Sequence, residues 1–190
     1  VRPLFAFGFF VAAIATAGVA ARADDARMLG SAQLVSLLVK AVDYDRHFAA
    51  RANGRVHTLV VYRDGDIASV STAHDLVTEL QKSQKIGGFV HDEHSIPFEN
   101  ANALAAQIRS EQIAIVIISR NLSSEASAIA HALDGIDTLS VAVDPDDVSQ
   151  GIVLGFDARN GKSTLMVRLA QARRQNVAFE ASLLRLARIE

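Results

Sequence analysis

A single α/β domain is the fold this sequence predicts. It should have three layers: a mostly parallel sheet ending in an antiparallel C-terminal hairpin, with helices on both faces. Aliphatic runs of strand length alternate with amphipathic segments of helix length through most of the chain. The run Ile113–Ile118 (IAIVII) is rich in β-branched residues and carries no polar one, as a central strand buried on both faces requires. Near the end the alternation stops. The apolar runs Gly151–Phe156 and Thr164–Leu169 meet across a turn centred on Asn160-Gly161, a pair suited to the left-handed backbone of a tight hairpin.

Residues 27–45 read as the first helix. Gln33, Ser36, Lys40 and Asp43 form a narrow polar stripe, and Leu34, Val35, Leu37, Leu38, Ala41 and Val42 fill the rest. Such a helix must be covered on most of its circumference. Asp43-Tyr44-Asp45-Arg46 ends it, and a loop follows with Asn53-Gly54. Val56–Tyr62 is a strand, and Arg63-Asp64-Gly65-Asp66 is turn chemistry. Residues 69–84 form a helix with Ala73, Leu76, Val77 and Leu80 on one face, and Thr72 with Asp75 suggests a capping box. Phe89-Val90 is a short strand near an edge, and His91-Asp92-Glu93-His94 follows as a charged loop. Pro97 sits where a first-turn proline would open the next helix, whose face is Ala101, Leu104, Ala105 and Ile108. After Ile113–Ile118 come a helix marked by Leu122, Ala126, Ile129, Ala130 and Leu133, then the strand Thr138–Val143, ended by Asp144-Pro145-Asp146-Asp147. After the hairpin, a short helix near Ala170–Arg174 and a last helix, Glu180–Ile189, close the chain.

Composition narrows the function classes. Half of the 190 residues are apolar and 21% are charged, a globular balance. The net charge of −2, with no basic stripe and no Trp, gives no case for nucleic acid. There is no Cys, so disulfides, thiolate nucleophiles and Cys-bound zinc are excluded. Arg2, the apolar run Leu4–Val19 and Ala21-Arg22-Ala23 follow the pattern of a secretory signal peptide over residues 1–23. A retained anchor is the alternative. Cleavage would leave a domain over 24–190 with 17 basic and 21 acidic residues, a formal charge of −4, in the periplasm with no stable membrane insertion.

No constellation makes an enzyme. Gly161-Lys162-Ser163-Thr164 lacks the leading glycine of a phosphate loop, because Phe156 holds that position, and the residues after it read as a strand. His91 and His94 offer metal-ligand types without a third ligand. Asp144, Asp146 and Asp147 sit at a strand's carboxyl end, where open α/β sheets bind ligands. The plainer role of such acids is to cap helices and start turns. No cofactor is implied.

Three stretches together resemble the YfiR family of bacterial periplasmic proteins, over about residues 31–189. They are Tyr44-Asp45-Arg46 leading to Ala49-Ala50-Arg51; Gly151 with Gly155-Phe156 and the hairpin; and Val167-Arg168-Leu169 with Ala172, Phe179 and Ala181-Ser182-Leu183-Leu184-Arg185-Leu186-Ala187. Arg168 departs from the asparagine usual at that position, and the bridging cysteines of some members are missing. The resemblance implies a compact α/β domain without catalysis. It also implies a possible homodimer, and an inner-membrane sensor as partner, such as a diguanylate cyclase repressed through its periplasmic region. The expected partner surface joins the hairpin and last helix, with Arg168 and Arg185, to the corner Tyr44, Asp45 and Arg46. The alternative is a small-ligand module at the strand-end crevice near Asp144–Asp147. A metal-dependent enzyme using His91 and His94 ranks below both.

Overall fold

The computed structural model describes residues 27–159 and 161–190. The expected signal segment 1–23 and Asn160 lie outside the described residues. Seven strands form one sheet in the order β2-β1-β3-β4-β5-β6-β7. They are β1 (Arg55–Tyr62), β2 (Val90–Pro97), β3 (Ile115–Ile118), β4 (Leu139–Ala142), β5 (Leu154–Arg159), β6 (Lys162–Val167) and β7 (Ala187–Ile189). Every neighbouring pair is parallel except β5–β6, which is antiparallel, as the hairpin signal requires. The helices are α1 (Ser31–Val42), α2 (Phe48–Ala52), α3 (Ile67–Gln81), α4 (Ala101–Ser110), α5 (Ser123–Ala132), α6 (Asp146–Ser149), α7 (Leu169–Arg174) and α8 (Ala181–Leu184).

Strand alternation divides the core between the two faces. Val60, Ile115, Ile117 and Val141 pack with Leu34, Leu38, Leu76 and Leu80, from the pair α1 and α3. Leu59, Val61, Val116 and Ile118 pack on the other face with Leu104, Ile108, Ile129 and Leu133, from α4, α5 and the turn after α5. β3 is therefore wholly buried, which accounts for its lack of alternation. Each such side chain contributes about 1.5–3 kcal/mol by leaving water.

Several boundaries differ from the sequence expectations. The first helix begins only at Ser31, because Gly30 is extended at its N-cap, and the turn after Asp43 ends it. The loop after it contains α2, which stops where Asn53 takes a left-handed φ of 44°. α3 is capped by Asp66, whose Oδ1 accepts from the Ser69 N–H at 2.8 Å; Thr72 and Asp75 lie inside the helix and form no box. Pro97 ends β2, and Asn100 caps α4 by accepting from the Ala103 N–H at 2.9 Å. The last helix is only α8. Beyond it the chain straightens into β7 and pairs with β6, whose ladder groups would otherwise be left open.

The residues His91–His94 are the largest correction. They lie within β2, paired to β1 over all eight of its residues, and not in a loop. As an edge strand it needs no apolar alternation. Its neighbours supply charge partners: His57 Nδ1 lies 2.7 Å from Asp92 Oδ1, His91 Nδ1 lies 2.8 Å from Glu93 Oε2, and His94 Nε2 lies 3.2 Å from Glu111.

Candidate functional site

Two regions carry the residues that the sequence singles out. The first is the corner after α1. Asp45 is buried and fully engaged: Oδ2 accepts from Arg51 Nη1 at 2.6 Å, and Oδ1 accepts from the N–H groups of His47 at 3.1 Å and Ala178 at 2.9 Å. Arg51, equally buried, also donates to Asp137 at 2.8 Å and to the Asn176 carbonyl at 3.0 Å. The Arg46 N–H donates to the Ala178 carbonyl, and the Glu180 N–H to the Tyr44 carbonyl. Asp45 thus fastens the corner to the segment before α8. Losing Asp45 would leave the buried Arg51 with only the part-exposed Asp137 as counter-ion, and losing Arg51 would leave the buried Asp45 without a cation, so either loss is costly.

What the corner positions is a groove of about 240 Å³. Leu37, Lys40, Ala41 and Tyr44 form one wall, Phe156, Ser163 and Leu165 the floor, and Leu183 and Leu186 the far side. Strand alternation explains the floor: Ser163 and Leu165 face α1, while Met166 enters the core of the opposite face. Leu186 is 78% exposed and Ile189 45%, so the groove opens onto an apolar rim beside the β7 edge. Of the other predicted partner residues, Arg46 and Arg185 are exposed and Arg168 is half-buried at the N-cap of α7. None of the three lines the groove. Sequence reasoning placed Lys40 on a polar stripe without linking it to the hairpin, and missed Leu37, Phe156 and Leu165 as groove lining, because their apolar neighbours mark the same segments as core.

The second region is the carboxyl end of the parallel strands. Asp144 Oδ1 accepts from the Asp146 N–H at 3.0 Å, and its Oδ2 from the Ser123 hydroxyl at 3.4 Å. Asp146 receives both terminal nitrogens of Arg27, at 2.9 and 3.0 Å. Asp157, buried in β5, is engaged by Arg27, Arg159 and Arg188 at 3.3, 2.8 and 3.3 Å. Burial alone would raise its pKa, but the three guanidiniums outweigh burial and hold it below the usual carboxylate range.

Asp147 is the exception. It is fully buried, and neither carboxylate oxygen has a hydrogen-bond partner among the described residues. Burial, with smaller contributions from the charges of Asp144, Asp146 and Glu125, pushes its carboxyl up to about 6, while the nearby Ser123 hydroxyl holds it back from rising further. The tight crossing of α6 over β5 explains the burial. A Cβ at Gly155 would lie 2.5 Å from Val148 Cγ2, so only glycine admits α6 so close.

The strand-end crevice itself, about 390 Å³, is lined by Met28, Ser31, Thr72, Asp75, Arg120 and Val143 among others, and not by the three aspartates. His91 and His94, three residues apart on a strand, point to opposite faces of the sheet. Among the described residues no group of three His, Asp or Glu side chains is arranged to hold a metal ion. No helix among them is long and apolar enough to cross a membrane.

The architecture places the protein in the class of α/β domains built on a mostly parallel sheet with helices on both faces. The chain belongs to the YfiR/HmsC-like family, whose model matches residues 36–188, and that family is regulatory rather than catalytic. No protein with a curated description matches. Among solved structures, an ABC domain from Streptococcus pneumonia in complex with L-Trp is similar, with a TM-score of 0.57 and 10% identity over 84% of this chain and 61% of that one. So are a conserved domain protein from Vibrio cholerae o1 biovar eltor (0.54; 16%; 84% and 59%) and the ligand-free, open CD0873 of Clostridium difficile (0.53; 12%; 76% and 57%). CD0873 is described as a substrate binding protein with adhesive properties. The chain spans about three fifths of the length of these structures, and at such identities the likeness is one of fold.

Proposed function

We propose that residues 24–190 form an exported periplasmic regulator that catalyses nothing, freed from a signal peptide over 1–23. It binds an inner-membrane sensor, such as a diguanylate cyclase, through that sensor's periplasmic region and represses it. Membership of the YfiR/HmsC-like family supports the regulatory role. The observation that carries the partner surface is the apolar groove with its exposed Leu186 rim, open to solvent where α1, the hairpin and α8 meet. In this reading Tyr44 contacts the partner, Asp45 holds Tyr44 in place, and Arg46, Arg168 and Arg185 supply charge around the contact. Replacing Leu186 by Glu in cells should raise cyclic di-GMP to the level of a deletion strain while the protein stays folded and abundant. An unchanged nucleotide level with the variant present would remove the groove from the regulatory role.

A second reading, a small-ligand module, is favoured by the crevice of about 390 Å³ at the strand ends. In that reading Asp144, Asp146 and Asp147 shape the crevice from behind rather than touch the ligand. A thermal-shift screen of amino acids and related zwitterions against the purified protein tests it. A shift abolished by Thr72→Val would favour the crevice.

A further inference from the structure

We infer that the groove accepts one amphipathic helix of the partner, which presents large apolar side chains to Phe156, Leu165 and Leu183 and a carboxylate to Lys40. This rests on the partner-binding reading above and adds the chemistry of the occupant.

The walls point to a helix. Leu37, Lys40 and Ala41 stand at i, i+3 and i+4 on α1, the stripe that a neighbouring helix meets, and Tyr44 extends that wall from the turn beyond the helix. The floor is sheet, from β5 and β6. A cleft bounded by a helix and floored by a sheet is where a layered α/β fold places its next helix. Among the described residues, the helices that follow the hairpin are too short to fill it, for α7 has six residues and α8 four. The volume of about 240 Å³ is that of one or two large side chains inserted from a surface, not of an enclosed metabolite.

Charge then selects the occupant. Lys40 is the one ionised residue lining the groove, and it has no ion pair or side-chain hydrogen bond among the described residues. Arg185, beside the exposed Leu186, is likewise unpaired among them, whereas nearby Arg188 is held by Glu190 and Asp157. An ammonium beside an apolar surface gains most from a carboxylate delivered with the apolar ridge that excludes water around it. A second copy of the chain would bring another Lys40 and Arg185 to the same patch.

The test is site-specific crosslinking in the native envelope. Benzoylphenylalanine in place of the exposed Leu186 should crosslink to a helical segment in the periplasmic region of an inner-membrane protein. An Asp or Glu should stand three or four positions from the captured residue. Lys40→Glu should lower the yield about tenfold, and changing that partner acid to Lys should restore it. Capture of an inner-membrane sensor through an extended strand or loop would remove the helix and leave the regulatory reading standing. A yield indifferent to Lys40→Glu would remove the charge pairing. Crosslinks to a second copy, to lipid only or to nothing would sink both.

Discussion

The two edges of the sheet are built on opposite plans. β2 is long, paired over eight residues on its inner side, and covered in charge: His91 with Glu93, Asp92 with His57 and Arg55, His94 with Glu111. β7 has three residues, and its one charge, Arg188, turns inward to Asp157 and Glu190, leaving Leu186 and Ile189 in water. An open edge is a template for unwanted pairing, and proteins blunt it with charge or with brevity. Here the long edge uses charge and the short edge uses brevity. Brevity leaves Leu186 and Ile189 in water, whereas β2 exposes one large apolar side chain, Val90 at its start, and the proposed partner surface accordingly falls at the β7 end.

The largest expected effect removes the fastening of the apolar end. Asp45→Ala leaves the Arg51 guanidinium, 1% exposed, without its nearest anion. The cost should be about 3–5 kcal/mol in urea unfolding. Amide exchange should accelerate first at 176–189, before β2 is touched. Uniform loss of protection over both edges would show that the pair serves the core as a whole.

Acid distinguishes the regions next. A carboxyl whose folded pKa is raised binds its proton more tightly in the folded than in the unfolded chain. Asp147, moved from 3.8 to about 6, therefore costs stability progressively as pH rises from about 4 to 6, and the loss stays constant above that. Asp92 and Asp157 are shifted down, so their contributions are present above about 4 and vanish in stronger acid. Asp147→Asn should raise stability at pH 7 by about 1–3 kcal/mol and flatten the profile between pH 4 and 6. A profile identical to that of the unaltered protein would mean that water reaches the carboxyl.

The alternation of strands and helices, the buried β3 and the hairpin at Gly161 were legible because each has a local signal: period, β-branching, turn residues. β2 was legible only at its start, where Phe89-Val90 reads as a short edge strand; the rest, with charge on both faces, carries no period-two apolar pattern and reads as a loop. β7 was not, since Leu183, Leu184 and Leu186 fit a helical face and only the open ladder of β6, distant in sequence, makes the chain straighten. The sequence brought the hairpin, the chain end and Tyr44 to one surface through family resemblance, but it could not tell Asp45 from an exposed turn acid. The Arg51 that neutralises Asp45 lies six residues on, and the Ala178 N–H that fixes it lies 133 residues away.

Breaking the charge plan of β2 should have a smaller but visible effect. A two-fold axis normal to the sheet pairs a central residue of the strand with its own copy. A centre at Asp92, Glu93 or His94 therefore sets like groups opposite one another, which opposes self-pairing. Asp92→Val with His94→Val loses only part-exposed ion pairs, each worth about 0–1 kcal/mol. The double variant should nevertheless show an added association step in sedimentation velocity that the unaltered chain lacks. Equal profiles for the two would mean that strand twist, not charge, guards this edge.

The smallest change in stability is expected at the most consequential side chain. Leu186 is 78% exposed, so Leu186→Glu removes little buried area and should shift folding free energy by no more than about 0.5 kcal/mol. Leu183, three residues earlier in α8 and 7% exposed, touches the same groove from inside; Leu183→Glu buries a charge against Leu165 and Phe156 and should unfold the β7 end. Two leucines three positions apart thus separate the surface from its support. If Leu186→Glu proved as destabilising as Leu183→Glu, the rim would be core that happens to touch water, and the apolar end of the sheet would lose its claim to be a binding surface. If it left stability intact and abolished capture of the partner, exposure at this edge would be explained by what docks there.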